Sequence, residues 1–268
     1  MGKDVISPPS HSTFSTPIEL MHYIQTLRDL CGGKPVGFKL CLGKRREFMA
    51  ICKAMLETGI TPDFISVDGG EGGTGAAPLE FSNHIGGPGT DGLIYVHNCL
   101  TGFNLRNKIK IICTGKISTG FGMIKRLALG ADICYSARAM LMAIGCIQAL
   151  RCNSNVCPTG ITTQDPNLVS GLVVEDKRKR LSMFHQETLK STAHMLGAMG
   201  IESPKELRPW HVITRVGPTS NKSYYELFDY VNPGDFLAEE NLKNWGEDYK
   251  KAYASSSADS FFANASAS

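Results

Sequence analysis

Three cysteines, Cys146, Cys152 and Cys157, stand six and five residues apart, and the third runs into a Pro158-Thr159-Gly160 turn. Soft thiolates suit iron–sulfur clusters and zinc, and the turn-forming Asn153, Ser154 and Asn155 let such a loop fold back on itself. Three ligands are one short of the usual four-cysteine set. That leaves a three-iron cluster, a fourth ligand from elsewhere, or three thiols that are simply small buried apolar groups.

Other residues with chemistry lie where strands would end. Lys39 sits inside an apolar run, Val36-Gly37-Phe38-Lys39-Leu40. Pointed inward it meets an anionic substrate; at a strand edge it snorkels to water. Glu71 lies in the most glycine-dense stretch, Asp68-Gly69-Gly70-Glu71-Gly72-Gly73-Thr74-Gly75-Ala76-Ala77-Pro78. Its glycines let a backbone approach a ligand closely. Gly70, Gly72 and Gly75 formally satisfy the dinucleotide fingerprint, but Pro78 follows at once and no acidic residue closes a second strand about 20 residues on. Two further loops, Gly115-Lys116 through Gly120 and Ser136-Ala137-Arg138, each open a helix. Backbone N–H groups at adjacent helix starts form a phosphate site, although plain capping also explains Thr119 and Ser136.

The elements that must carry these groups alternate regularly. Thr16-Pro17-Ile18-Glu19 reads as a capping box starting a helix that Gly32-Gly33 stops. Strands are expected at 36–41, 64–68, 110–114 and 132–136, with helices at 47–58, 93–103, 121–129 and 137–150 between and after them. Four strand–helix repeats argue for a parallel α/β unit, and a complete eight-stranded barrel needs roughly 250 residues. The expected fold is therefore half a (βα)8 barrel over residues 1–165, followed by a helical extension over 166–237. Its helix at 175–200 is expected to bury Leu181, Phe184, Leu189, Thr192 and Leu196. From residue 238 the chain turns polar and then low in complexity, which reads as a disordered tail. Phe38, Leu40, Ile65, Val67, Ile111 and Cys113 are taken as facing the barrel interior, though some must face the helices.

Composition bounds the rest. The chain has 268 residues, 42% hydrophobic and 20% charged, with a formal net charge of +3. The basic runs Lys44-Arg45-Arg46 and Lys177-Arg178-Lys179-Arg180 lack interleaved aromatics, so a nucleic-acid partner is not expected. No apolar run approaches the roughly 20 residues that span a bilayer, and residues 1–13 carry no signal-peptide core. Nine cysteines, mostly in apolar runs, point to a reducing, cytoplasmic setting.

The cysteine segment continued by Ile161-Thr162-Thr163-Gln164-Asp165 resembles the cluster segment of the FMN-binding glutamate synthase family. Similarity runs from Ile6-Ser7-Pro8-Pro9 to about Leu237. The resemblance implies a flavin barrel, of which this chain reads as the second half, and a [3Fe–4S] cluster on Cys146, Cys152 and Cys157. It implies that Lys39 binds substrate and that the stretch holding Gly72, Gly73, Thr74 and Gly75 lines the site over the flavin. Family members with a fused glutaminase carry His-Asp where this chain has Gly70-Glu71, so the resemblance leaves the part played by Glu71 open. The two later loops would follow strands seven and eight, with Gly115, Lys116, Gly120, Ser136, Ala137 and Arg138 on the FMN phosphate.

The implied activity is reductive amination of 2-oxoglutarate to L-glutamate, with ammonia from solution or from glutamine in another protein and electrons from an external donor. The competing reading is a split-enzyme subunit or truncated product that binds cofactor or carries electrons without catalysing. A zinc-binding structural domain on the same cysteines is a third. Four strands cannot close a barrel, so an N-terminal half-barrel partner or self-association is expected.

Overall fold

The computed structural model describes residues 8, 10–72 and 80–263. The first helix, α1 (Pro17–Leu30), starts as its sequence requires: Thr16 Oγ1 accepts from the Glu19 N–H at 3.1 Å and the Glu19 carboxylate accepts from the Thr16 N–H at 3.2 Å. Strands and helices then alternate as β1 (Gly37–Cys41), α2 (Arg45–Thr58), β2 (Phe64–Asp68), α3 (Gly89–Gly102), β3 (Lys110–Cys113), α4 (Gly120–Ala128), β4 (Ile133–Cys134) and α5 (Arg138–Ala143). The four strands form one parallel sheet in the order β1-β2-β3-β4. Consecutive parallel βα units in sequence order are the build of half a (βα)8 barrel.

Strand direction sets which residues can meet a ligand. Ile65, Val67, Ile111 and Cys113 are fully buried, with Phe38 and Leu40 packed against the same core. All six face the helix layer, which corrects the expectation that they line the interior. Phe38-Lys39-Leu40 and Ile65-Ser66-Val67 alternate, but alternation alone does not say whether the apolar side meets helices or a barrel interior. The opposite face carries Lys39, Ser66 and Ile112 in register, with Asp68 opposite Cys41 at the strand ends.

The helix after β4 is shorter than expected. α5 stops at Ala143 rather than running to 150, because Gly145, Gln148 and Leu150 adopt left-handed φ of 110°, 56° and 54°. Beyond the cysteine loop come α6 (Pro166–Val169) and α7 (Val174–Ala198). Within α7, Thr192 and Leu196 are buried against α4, while Leu181 and Phe184 are half-buried and Leu189 is 44% exposed. A Cβ on Gly120 would lie 2.9 Å from the Thr192 hydroxyl, so this glycine permits the close α4–α7 approach.

The expected disordered tail is corrected over its described part. After the hairpin β5 (Ile213–Arg215) and β6 (Asn221–Ser223) and the short α8 (Tyr224–Leu227), the chain crosses the outer surface of α2 and α3 and forms α9 (Glu247–Ala254). Phe236, Trp245, Tyr249 and Ala252 are buried there. Phe236 packs edge-on against Phe103 and Trp245, with ring centroids 5.4 and 4.4 Å away. Asn98 donates to the Tyr249 hydroxyl at 2.8 Å, and Lys53 donates to the Tyr253 and Ser256 carbonyls at 2.8 and 2.9 Å. The lysine thus sits at the C-terminal end of α9, where a cation suits the helix dipole.

Candidate active site

The chemistry gathers at the C-terminal ends of β1, β2 and β3. Lys39, on the ligand-facing side of β1, reaches across to Asp68 at the end of β2, with Nζ 2.6 Å from Oδ2. Asp68 is 5% exposed, whereas the Lys39 side chain is 57% exposed. The other carboxylate oxygen, Oδ1, accepts from the Gly69 N–H at 2.9 Å. A buried carboxylate needs such partners, and here a cation and a backbone donor supply them.

The glycine loop closes over this pair. Gly70 accepts from Asn83 and donates to the Gly87 carbonyl, at 2.8 and 2.9 Å, so residues 80–88 lie back across the loop. Glu71 does not project toward a ligand. Both of its carboxylate oxygens accept from the Gly89 N–H, at 3.0 and 3.1 Å, at the first turn of α3. An acidic group there satisfies an otherwise unpaired helix N–H and suits the dipole. A Cβ on Gly72 would collide with the Asp68 carboxylate, and one on Gly115 would lie 3.3 Å from Asp68 Oδ1. Gly73, Thr74 and Gly75 lie outside the described residues.

The third and fourth loops meet the second. Gly115 has φ of 99° and Lys116 of 51°, a left-handed pair that turns the chain sharply after β3. Lys116 donates to Asn83 Oδ1 at 3.0 Å, and Arg138 donates to the Glu71 backbone carbonyl. Ser136 Oγ donates to the Ile117 carbonyl at 2.6 Å, tying the fourth loop to the third. Ala137 caps α5 without a side-chain bond. Gly120 is buried against α7, so its side points away from the mouth.

Two clefts open on this arrangement, and Lys39 lines both. One, of about 370 Å³, is bounded by Cys41, Asp68, Gly70, Phe81 and Ile85; the other, of about 580 Å³, by Phe64, Ser66, Thr114, Tyr135 and Ser136. The Cys41 thiol is pushed up by burial and then by the Asp68 and Glu71 charges, and burial pushes Cys134 up to about 12. Neither thiol is a ready nucleophile at neutral pH.

An FMN phosphate suits these loops in kind. Lys116 and Arg138 bond to an amide oxygen and a backbone carbonyl, so among the described residues no carboxylate cancels either charge. The cysteines fit their implied cluster less well. Cys146 and Cys152 are half-buried and Cys157 buried, and among the described residues no three Cys, His, Asp or Glu side chains gather closely enough to hold a metal ion. Cys157 is prepared chemically: hydrogen bonds from the Thr159 hydroxyl and the Thr162 backbone lower its thiol to about 6. Asn155, at φ of 59°, braces the loop by accepting from the Thr163 hydroxyl at 2.6 Å and the Gln164 N–H at 2.7 Å.

Sequence reasoning missed Asp68 and Asn83. An acidic residue closing a parallel strand before a glycine loop was a usable signal for the first. Asn83 carried none, since its position depends on a left-handed φ of 67° in an irregular segment.

The fold and this strand-end site define a class: a unit of parallel βα repeats with its binding loops on the C-terminal face of the sheet. Residues 1–202 match the family model described as the conserved region in glutamate synthase, and the chain belongs to that family. It is 39% identical over 214 residues to a glutamate synthase large subunit-like protein of Bacillus subtilis, covering 80% of this chain and 41% of that protein. It is 34% identical over 208 residues to an archaeal glutamate synthase [NADPH] of Methanocaldococcus jannaschii, covering 77% and 40%. The chain thus spans about two-fifths of the length of these curated relatives. Among solved structures it overlays a sulfite-bound flavocytochrome b2 with a TM-score of 0.41 at 16% identity, over 69% of this chain and 37% of that one. Among the described residues no helix is long and apolar enough to cross a membrane.

Proposed function

We propose that the chain carries the substrate and cofactor loops of a glutamate-forming flavin oxidoreductase, in which ammonia and 2-oxoglutarate condense to an imino acid that is reduced to L-glutamate. The observation that carries this reading is the convergence of Lys39, Asp68, Gly72 and Gly115 at the strand ends, within the region that matches the family. FMN, when bound, supplies the hydride. Lys39 retains two ammonium donors beyond the one turned to Asp68, and they meet a carboxylate or keto oxygen of the substrate. Lys116 and Arg138, with the backbone of Gly115, Gly120, Ser136 and Ala137, take the FMN phosphate, and the glycine loop through Gly72 to Gly75 lets the ring approach. Glu71 holds that loop on α3 and acts by position rather than by proton transfer.

The [3Fe–4S] cluster belongs to the proposal through the thiol chemistry and the resemblance. Its three cysteines are not gathered around a common centre. An external donor supplies the electrons, and ammonia arrives free or from glutamine elsewhere.

Two observations favour further βα units beside this sheet. Tyr135, just past the short edge strand β4, is 53% exposed beside the larger cleft, and the relatives extend well beyond the matched region. Four further βα units would cover that face. The test supplies FMN, 2-oxoglutarate, ammonia and a chemical reductant to the chain alone, and to the chain mixed with the unmatched segment of the Bacillus subtilis relative. Glutamate formed in the mixture and lost in Lys39→Ala supports the proposal. Glutamate formed in neither sample overturns it.

A further inference from the structure

We propose that Asp68 is the positioning residue of this site: its buried carboxylate fixes the Lys39 ammonium in the mouth and sets how closely the loops after β2 and β3 approach one another. The inference rests on the reading of Lys39 as the group that meets the anionic substrate.

Three separate observations converge on one carboxylate. Lys39 is largely exposed and its Nζ ends 2.6 Å from Asp68 Oδ2. A long, flexible ammonium otherwise samples many rotamers in water, so the carboxylate selects its direction. The second oxygen holds the Gly69 N–H, the first step of the glycine loop. The third observation is steric. Gly72 and Gly115 both turn a missing side chain toward Asp68, one in collision range of the carboxylate and one 3.3 Å from Oδ1. The two loops therefore close to a distance fixed by the size of this one carboxylate. Gly115 also passes 3.9 Å from Glu71 Oε1 at its Cβ position, which links the same contact to the α3 cap.

Charge completes the case. Asp68 neutralises Lys39 without using all its donors, so an incoming anion meets an oriented N–H group on a lysine already paired. Asparagine at 68 keeps the size and an acceptor for Gly69 but removes the charge, and so separates the two roles.

The experiment is pulsed acetylation of the full chain with limiting reagent, read lysine by lysine by mass spectrometry. Exposed Lys34 gives the free rate, and Lys53, held by the Tyr253 and Ser256 carbonyls, reports an intact fold. Lys39 is expected to label about threefold more slowly than Lys34 in the wild type, the scale of a partly exposed ion pair, and as fast as Lys34 in Asp68→Asn. Equal Lys39 and Lys34 rates in the wild type overturn the proposal. So does slow Lys39 labelling that persists in Asp68→Asn while Lys53 stays protected. Release of Lys53 marks an unfolded variant, and the wild-type comparison then decides alone. A parallel arm with 2-oxoglutarate separates this claim from the reading beneath it. A keto acid that leaves Lys39 labelling unchanged removes Lys39 from substrate binding and leaves the Asp68 result standing.

Discussion

The strand-end mouth and the cysteine loop are two candidate sites of the same chain in different states of preparation. At the mouth, a rigid parallel sheet fixes Lys39 opposite Ser66 and Cys41 opposite Asp68, and the loops need only short reaches to meet. In the cysteine loop, α5 ends at Ala143 and Cys146, Cys152 and Cys157 sit on irregular backbone that leaves them apart. Sheet geometry arranges a site before its ligand arrives. A loop of thiols is gathered by its metal, whose binding energy doubles as folding energy.

The largest expected effect tests the second half of that comparison. Anaerobic reconstitution with iron and sulfide should load about three irons per chain, a count set by the three cysteines. Cys152→Ser should abolish loading while the far-ultraviolet circular dichroism is unchanged. Iron retained in that variant would break the comparison, as would zinc bound in preference.

The next tests ask how firm the scaffold under the mouth is. Phe236 is 1% exposed, and a Cβ on Gly102 would lie 2.5 Å from its ring. Phe236→Ala should lower unfolding free energy by about 3–5 kcal/mol, measured by urea denaturation. A loss below about 1 kcal/mol would show that the outer layer of α9 and its aromatics is not part of the core.

Acid should weaken the same scaffold through His97. Burial, then the neighbouring Arg106, lowers His97 to about 4, and its Nδ1 accepts from Arg106 Nε at 3.2 Å. The folded imidazole stays neutral, whereas the unfolded one takes up a proton below about 6.5. Stability should therefore fall as pH drops from about 6.5 to about 4, by roughly 3 kcal/mol in total. His97→Gln should flatten that window in denaturant titrations across pH. An unchanged slope would exclude His97 as its source.

The smallest effect is at the phosphate loops. Arg138→Ala should weaken FMN binding by about 1–3 kcal/mol at constant salt, the scale of a charge-assisted hydrogen bond. Equal affinity would remove Arg138 from the site.

Much of this was legible in the chain itself. The Thr16–Glu19 box, the four βα repeats and Lys39 inside an apolar strand all follow from local rules of capping and period. The facing of the strands was not, because the alternation in β1 and β2 does not say whether the apolar side meets the helices or a barrel interior. The packed tail was hidden as well. Trp245, Tyr249 and Ala252 recur at helical spacing, but the charged residues between them dilute the pattern, and the surface they cover is visible only once α2 and α3 are placed. Glu71 looked chemical by type, and both of its carboxylate oxygens accept from the Gly89 N–H. Asp68 looked like the end of a strand, and Lys39 of β1 meets the loops after β2 and β3 there.

The most direct test of the account is equilibrium titration of FMN into the metal-free protein, followed by flavin fluorescence. A mouth arranged by the sheet predicts saturable, stoichiometric FMN binding without iron, weakened in Arg138→Ala and unaffected in Cys152→Ser. FMN bound after iron loading but not before, or not bound at all, would contradict it.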